Sequence, residues 1–241
     1  MRATTINKKW TIILPDHRAD TFDERQMWEV QRFESMERHL KPGMVLLDVG
    51  CEQADISIIF AKLVGAENMC LFEGLPLVWP NIRQTWEANG LAKPKACFAG
   101  LVSDKTDLNP PNLNFDNEMK ADGWPGCSVG EIFTPYDCRY IHAHADQTPQ
   151  TTLDDWCART GIFPDAVTMD IEGAELLAMQ GAKNLLNLGK PMLLWISVHP
   201  ELLIRDYHAT STNFNHFMEH CGYRGELLGI DHENHVLYRK V

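Results

Sequence analysis

The sequence predicts an α/β protein built on a Rossmann-like, mostly parallel sheet with helices on both faces. Short apolar runs of strand length alternate with longer segments in which apolar residues recur at helical spacing. This alternation is typical of parallel strands joined by helical crossovers, whose strands are apolar throughout because both sheet faces are covered. The last two apolar runs flank a short polar turn, which predicts an antiparallel hairpin at the C-terminus.

The first half of the chain shows the alternation clearly. An amphipathic segment with apolar residues near helical spacing ends at Lys-Pro-Gly, residues 41–43, because proline and glycine do not continue a helix. Shorter runs rich in Val, Leu, Ile and Phe follow it. Strands are predicted over residues 10–14, 44–49, 68–73 and 95–99, and helices over residues 24–40, 56–64 and 76–89.

The alternation stops over residues 103–135 and resumes after them. This weakly hydrophobic stretch contains Asn-Pro-Pro-Asn and Gly-Trp-Pro-Gly and predicts a long loop or lid. The predicted strands of the second half are residues 139–145, 166–171 and 192–198, the helices are residues 152–160, 175–188 and 212–221, and the hairpin pairs residues 223–230 with 235–240.

Length and composition limit the class of protein. The 241 residues predict one domain, residues 43–241, on which residues 1–42 pack as an N-terminal strand and helix. A formal net charge of -11 repels phosphate backbones, which argues against a nucleic-acid partner. No apolar run approaches the roughly 18 residues of a membrane span. The seven cysteines form no CxxC pair, which predicts free thiols and a cytoplasmic location.

The loop after residues 44–49 reads Asp48-Val-Gly50-Cys51-Glu52-Gln-Ala54 and leads into a helix. Gly50 lets a ligand approach the backbone, and a helix N-terminus offers unpaired N–H groups. A carboxylate at Glu52 would repel a pyrophosphate but not the sulfonium and amino groups of S-adenosylmethionine. The pattern favours that cofactor over a dinucleotide, although a plain strand-to-helix turn is the alternative interpretation.

A second acid, Glu73, ends the next strand, 25 residues after Asp48. Acids at this position of nucleotide-binding α/β folds accept hydrogen bonds from ribose hydroxyls. On its own, Glu73 is also compatible with a solvated strand end. The predicted cofactor-binding set is Asp48, Gly50, Cys51, Glu52, Glu73, Gly74 and Ser103.

Acids also follow residues 166–171, in the run Met-Asp170-Ile-Glu172-Gly-Ala-Glu175. Open α/β sheets place their chemistry at such strand ends. This run, with Leu-Asp-Val-Gly at 47–50, Phe-Glu at 72–73, Thr-Leu-Asp-Asp-Trp at 152–156 and Val-His199-Pro, resembles the FkbM-type S-adenosylmethionine-dependent methyltransferases. The resemblance extends from about residue 43 to the C-terminus.

The resemblance implies a seven-stranded methyltransferase sheet with S-adenosylmethionine as cofactor. It further implies methyl transfer to a hydroxyl group, often of a saccharide or glycoconjugate, and places Ser128 near the cofactor. The family's first loop usually reads Asp-x-Gly-Ala-Asn-x-Gly, whereas this chain has Glu52 in place of the asparagine and Ala54 in place of the last glycine.

Methyl transfer to a hydroxyl requires alignment of the acceptor and removal of its proton. One interpretation is a histidine base, His199 first and His232 second. The other is a metal site in which Asp170 or Glu172 combines with His199 or with acids of the hairpin turn such as Asp231 to bind Mg or Mn. The nonfunctional alternatives are a helix cap and a polar hairpin tip.

Several alternatives stay open. Trp124 would either stack on a sugar face or anchor the long loop to the body of the protein. A nicotinamide-dependent oxidoreductase would use a related sheet, although the first turn lacks GxGxxG. A non-catalytic binding module is compatible with Glu52 and Ala54. For assembly, the sequence is compatible with a homodimer.

Overall fold

A computed structural model describes residues 1–25, 27–107, 124–125 and 148–241. The N-terminal part is a hairpin of β1 (Arg2–Ile6) and β2 (Trp10–Leu14), followed by α1 (Asp16–Arg25) and α2 (Val30–His39). The single helix predicted over residues 24–40 is therefore wrong. Helical structure is interrupted before α2 because Glu29 has a left-handed φ of 38°, which does not allow continuous helical hydrogen bonding.

The remaining strands include short ones in the middle of the chain and long ones at its end. They are β3 (Leu46–Val49), β4 (Met69–Glu73), β5 (Ala96–Ala99), β6 (Leu101–Val102), β7 (Gln150–Thr151), β8 (Ala166–Met169), β9 (Leu193–Val198), β10 (Tyr223–Ile230) and β11 (Asn234–Lys240).

Seven of these strands form one sheet in the order β10-β11-β9-β8-β3-β4-β5. Strands β9, β8, β3, β4 and β5 run parallel, and β11 is antiparallel to both of its neighbours. This arrangement confirms the predicted mostly parallel sheet with a closing hairpin. Strands β6 and β7 form a separate parallel pair, and β1 and β2 form a third small sheet.

The helices that follow α2 connect and cover the strands. They are α3 (Ser57–Val64), α4 (Trp79–Ala88), α5 (Leu153–Thr160), α6 (Glu175–Gln180), α7 (Lys183–Asn187), α8 (Pro200–Tyr207) and α9 (Ser211–His220).

The helices of the second half differ from the sequence prediction in two places. The predicted helix 175–188 is split at Gly181, where a Cβ would lie 2.1 Å from the Ser103 carbonyl oxygen. Helix α8, which Pro200 begins, was not predicted. The strand predicted over 139–145 and most of the stretch 103–135 lie outside the described residues. No described helix is long and apolar enough to cross a membrane.

Two apolar clusters cover the two faces of the sheet. Alternate side chains of one strand face opposite clusters, as with Leu46 and Leu47 of β3. The first cluster contains residues of β1, β2 and α1 to α4, and the second contains residues of α5 to α9. Burial on both faces explains why the central strands are apolar in sequence.

The strand order reverses between β3 and β8. From β3 the chain proceeds outward to β4 and β5, then returns to β8 and continues to β9 on the other side. In open α/β sheets such a reversal opens a crevice at the carboxyl ends of the strands. The loops after Val49 and Met169 therefore border the same crevice.

Candidate active site

The loop after β3 crosses the carboxyl end of β8 at very short range. Gly50 has a φ of +85°, and a Cβ on it would lie 1.9 Å from the Asp170 carbonyl oxygen. The amides of Gly50 and Cys51 both donate to the Phe72 carbonyl at 3.0 Å. Glycine is required at position 50 because a side chain would be excluded by both the positive φ and the close approach.

The two positions at which this loop departs from the family pattern have left-handed backbone. Glu52 has a φ of 50° and Ala54 a φ of 63°. Asparagine and glycine adopt this region more readily than other residues, which otherwise bear about 1–3 kcal/mol of strain. The loop thus takes a conformation suited to the family's residues although it lacks both of them.

Glu73 is buried at the end of β4 and connects the loop after β3 to the loop after β4. Its Oε2 accepts a hydrogen bond from the Glu52 amide at 2.9 Å, and its Oε1 accepts one from the Leu75 amide at 2.8 Å. Burial raises the pKa of Glu73 to about 8, although these hydrogen bonds oppose the rise. Each carboxylate oxygen has a further lone pair, so Glu73 can still accept hydrogen bonds from hydroxyl groups.

Two polar atoms beside this loop are buried without a hydrogen-bond partner, Asp48 Oδ2 and Gln53 Nε2. Burial raises the pKa of Asp48 to about 6, and a hydrogen bond with Ser57 and the charge of Arg32 offset only part of the rise. A buried polar atom without a partner costs about 1–3 kcal/mol and is rare in folded proteins. These atoms suit a polar ligand in the crevice.

Arg18 of α1 ties the N-terminal part to the first loop. Its Nη2 donates to Glu52 at 2.9 Å, and its Nε pairs with Asp55, which is buried. Burial raises the pKa of Asp55, and Arg18 lowers it in part. The sequence did not point to Arg18, because no motif connects residues 1–42 to the first loop.

On the opposite side of the crevice, His199 follows β9 and is buried. Its Nδ1 lies 2.9 Å from Glu175 Oε1, which also accepts the Gly173 amide at 2.9 Å. Burial alone would lower the pKa of His199, but the hydrogen bond with Glu175 and the charges of Asp170 and Glu233 raise it to about 9. With Nδ1 held by Glu175, Nε2 is directed at Asp170, Glu172 and Glu233.

Three carboxylates surround His199 Nε2. Glu233 Oε2 lies 3.2 Å from it, Asp170 Oδ1 3.6 Å and Glu172 Oε2 3.7 Å. Burial raises the pKa of Asp170 well above its usual range, and repulsion from Glu233 adds to the rise. We call these four residues and Glu175 the acid–histidine cluster; it contains the predicted Asp170, Glu172 and His199.

The hairpin turn contributes Glu233 to the cluster, not Asp231. Asp231 Oδ1 accepts the Glu233 amide at 3.1 Å and also lies 3.1 Å from His232 Nδ1. His232 is exposed, and its ring centroid is 6.2 Å from that of His199. His235 is buried against Ser197, at 3.1 Å from Nδ1 to Oγ. The predicted metal residue Asp231 thus shapes the turn.

Arg32 of α2 supplies a buried positive charge to the cluster. It donates to Glu29 at 2.6 Å, Thr168 at 2.7 Å and Ser197 at 3.2 Å. Burial lowers the pKa of Arg32, but the charges of Glu29, Asp170 and Glu233 and the hydrogen bond with Glu29 together raise it by more. The guanidinium therefore stays charged and offsets one of the surrounding acids.

The other predicted site residues lie farther along the sheet. Ser103 is buried between β6 and the loop that follows, and its hydroxyl bonds to Gln150 at 3.1 Å. Gly74 packs against Leu101, which leaves no room for a Cβ. Trp124 is buried edge-on against Trp86, which favours the loop anchor over the sugar platform. Ser128 lies outside the described residues.

Comparison with known proteins identifies the fold. No family model matches the chain, and no curated protein matches it. The chain is similar to the solved structure of precorrin-6y C5,15-methyltransferase from Geobacter metallireducens GS-15, with a TM-score of 0.50 and 13% identity over 88% of each chain. The chain has a methyltransferase fold.

Two further solved structures are similar to the chain. Methyltransferase FkbM from Methylobacillus flagellatus KT is similar with a TM-score of 0.51 and 17% identity, over 82% of this chain and 43% of that chain. A SAM dependent methyltransferase from Aquifex aeolicus has a TM-score of 0.47 and 13% identity, over 87% of this chain and 88% of that chain. At identities of 13% and 17% the first two likenesses show the fold alone, and membership of the FkbM family stays a prediction.

Proposed function

We propose that the protein is an S-adenosylmethionine-dependent O-methyltransferase whose acceptor is a hydroxyl group of a saccharide or glycoconjugate. The observation that carries the proposal is the close juxtaposition of the first loop with the acid–histidine cluster at the strand-order reversal. Burial raises the pKa of Glu52 to about 7, and the charge of Glu172, across the crevice, adds to the rise. A donor held at the loop would therefore lie next to groups able to handle an acceptor proton.

The residues present fit the cofactor. Glu73 has free lone pairs for the two ribose hydroxyls, and the Gly50 backbone leaves room for close approach. The partnerless Asp48 Oδ2 can accept from the ammonium group of the methionine end, and Gln53 Nε2 can donate to its carboxylate. The acidic surroundings of Glu52 favour a sulfonium cation over a pyrophosphate.

When bound, S-adenosylmethionine supplies an activated methyl group on a sulfonium. Transfer to an alcohol breaks the S–C bond, forms an O–C bond and releases one proton, which the protein must accept. The acid–histidine cluster is the candidate group, because Asp170 and Glu172 are partly exposed and lie 3.6 and 3.7 Å from His199 Nε2. Either a base in this cluster or a bound cation would activate the hydroxyl, the two alternatives indicated by the sequence.

The charge of the cluster selects among acceptors. Five acidic side chains, Glu29 included, surround one arginine and one histidine, which disfavours phosphorylated or carboxylated acceptors. Neutral polyols are favoured, because their hydroxyl groups donate hydrogen bonds to carboxylates. A saccharide meets this requirement and agrees with the FkbM resemblance.

The test is a screen of saccharide and glycoconjugate acceptors with methyl-labelled S-adenosylmethionine, with and without a chelator. We expect label in an O-methyl ether of a saccharide, lost in Glu73→Ala and retained in Glu219→Gln, a change on the exposed face of α9. NAD-dependent oxidation of the same panel without methyl transfer would support the oxidoreductase alternative. Absence of both activities would support a binding module.

A further inference from the structure

The acid–histidine cluster contains buried atoms that lack the partners their chemistry requires. His199 Nε2 and Glu233 Oε2 have no hydrogen-bond partner, and each residue is only 3% exposed. The two atoms lie 3.2 Å apart and face each other without hydrogen-bond geometry. A buried imidazole nitrogen and a buried carboxylate oxygen directed at one point are the arrangement expected around a shared cation.

The spacing of these atoms matches that of ligands around one metal ion. With bonds of about 2.1 Å, neighbouring ligand atoms are about 3.0 Å apart in an octahedral site and about 3.4 Å apart in a tetrahedral site. Nε2 of His199 lies 3.2, 3.6 and 3.7 Å from oxygens of Glu233, Asp170 and Glu172. Each of these three separations is close to the distance expected between two ligand atoms of one ion.

Two overlapping groups of ligand atoms share His199. Asp170, Glu172 and His199 offer atoms within 4.8 Å of one another, and so do His199, His232 and Glu233. Because His199 and Glu233 are buried while Glu172 and His232 are partly or largely exposed, the site is closed on one side and open to the crevice on the other. An open side leaves room for water or an acceptor oxygen.

Glu175 holds His199 as outer carboxylates hold metal-binding histidines. It contacts Nδ1 at 2.9 Å, so a cation bound at Nε2 would replace the ring proton there while Nδ1–H donates to Glu175. Glu175 is itself fixed by the Gly173 amide at 2.9 Å. The ring is therefore already oriented for a ligand at Nε2.

The excess of negative charge in this region suits a bound cation. The charges of Glu29, Asp170 and Glu233 act on Arg32, whereas Glu172 and Glu175 lie against His199. Arg32 donates to Glu29, Thr168 and Ser197, not to the oxygens that face His199 Nε2. Buried carboxylates without a cation are costly, because burial removes the water that would otherwise stabilise their charge.

We propose that His199, Glu233, Asp170 and Glu172 bind one divalent transition-metal ion of the Mn²⁺ type. The mixture of one imidazole with carboxylates suits Mn²⁺ better than Mg²⁺, which prefers oxygen ligands alone. Glu233 thus replaces the predicted Asp231 as the ligand from the hairpin turn. The role of the ion rests on the proposed function: it would bind the acceptor hydroxyl and lower the pKa of that hydroxyl, as a Lewis acid does.

The experiment measures Mn²⁺ binding by the protein without donor or acceptor. Protein treated with a chelator and dialysed is titrated with Mn²⁺, and free ion is followed by its electron paramagnetic resonance signal. We expect one saturable site per chain, affinity weakened about tenfold or more in Glu233→Gln, and unchanged affinity in Glu219→Gln. A pulsed spectrum of the bound ion should show coupling to a histidine nitrogen that is lost in His199→Gln.

Circular dichroism of each variant shows whether it is folded, and the nitrogen coupling in the unsubstituted protein tests the site even where a variant does not fold. Absence of saturable binding, of nitrogen coupling, or of any effect in folded Glu233→Gln would overturn the proposal. Titration of the same samples with S-adenosylhomocysteine separates the two hypotheses. Nucleoside binding without Mn²⁺ binding refutes the metal site alone, and Mn²⁺ binding without nucleoside binding refutes the proposed function alone.

Discussion

The α-carbon of Gly50 faces the backbone carbonyl of Asp170 so closely that a single added methyl group would lie 1.9 Å from its oxygen. This contact joins the loop after β3 to the end of β8. Because the two strands flank the reversal of strand order, the contact places the first loop beside Asp170 of the acid–histidine cluster.

Gly50→Ala should unfold the protein or open this contact. Gly43→Ala is the matched control, because Gly43 has a φ of +88°, close to the +85° of Gly50, but no atom within 4 Å of its missing Cβ. We expect Gly43→Ala to lower the free energy of unfolding by about 1 kcal/mol through backbone strain alone. Gly50→Ala should lower it by about 3 kcal/mol or more. Equal losses in urea denaturation would contradict the close contact.

Glu73 should make cofactor affinity depend on pH. Its pKa is raised to about 8 by burial, and ribose hydroxyls would donate hydrogen bonds to its ionised form. Binding of S-adenosylhomocysteine should therefore strengthen as pH rises toward 8, and protons should be released on binding. Calorimetry in buffers of different ionisation enthalpy measures this release, which Glu73→Gln should reduce. Release of the same size in that variant would refute the ribose role.

Ionisation of Asp48 should lower the free energy of unfolding as pH rises. Its pKa is raised by burial from 3.8 to about 6 in the folded protein, so the folded state binds this proton more tightly than the unfolded state. The contribution is greatest below pH 3.8 and is lost by pH 6, a change of about 3 kcal/mol. In Asp48→Asn the pH dependence of unfolding between these values should be shallower, whereas exposed Asp104→Asn should leave it unchanged. An unchanged slope in Asp48→Asn would count against a buried proton at this position.

Arg18 should couple the N-terminal part to cofactor binding. Arg18→Gln removes the partner of buried Asp55 and the contact with Glu52, so we expect a loss of about 3–5 kcal/mol in stability. S-adenosylhomocysteine affinity should fall as well, because the first loop loses the ion pair between Arg18 and Glu52. Arg83→Gln, which breaks an exposed pair with Glu87, should cost less than about 1 kcal/mol. Similar losses of stability in the two variants would show that the Arg18 ion pairs stabilise the protein no more than an exposed pair does.

Much of the fold follows from the sequence, because apolar runs such as those of β3 and β8 report burial on both faces. The helix break at Glu29 could not be predicted, since it depends on one residue in a left-handed conformation that glutamate seldom adopts. Helix α8 was also missed, because it is short and presents only Leu203 as a buried residue. Both features depend on tertiary packing, which the local sequence pattern does not report.

The site residues that directly follow a strand could be predicted from the sequence. Asp170, Glu172 and His199 meet because parallel strands bring their carboxyl ends together. Glu233 was missed because it lies in a polar turn where Asp231 and His232 look equally suitable, and only the hairpin's register directs its side chain inward. Arg18 and Arg32 belong to helices whose docking on the sheet carries no sequence motif.

We propose that the crevice between Gly50 and Glu73 binds an adenosyl sulfonium donor, and calorimetric titration of the intact protein measures this binding. We predict that S-adenosylhomocysteine binds at one molecule per chain, that NAD does not bind, and that Glu73→Ala weakens the former by about a hundredfold or more. Binding of NAD in its place, or full S-adenosylhomocysteine affinity in Glu73→Ala, would refute a donor site at this crevice.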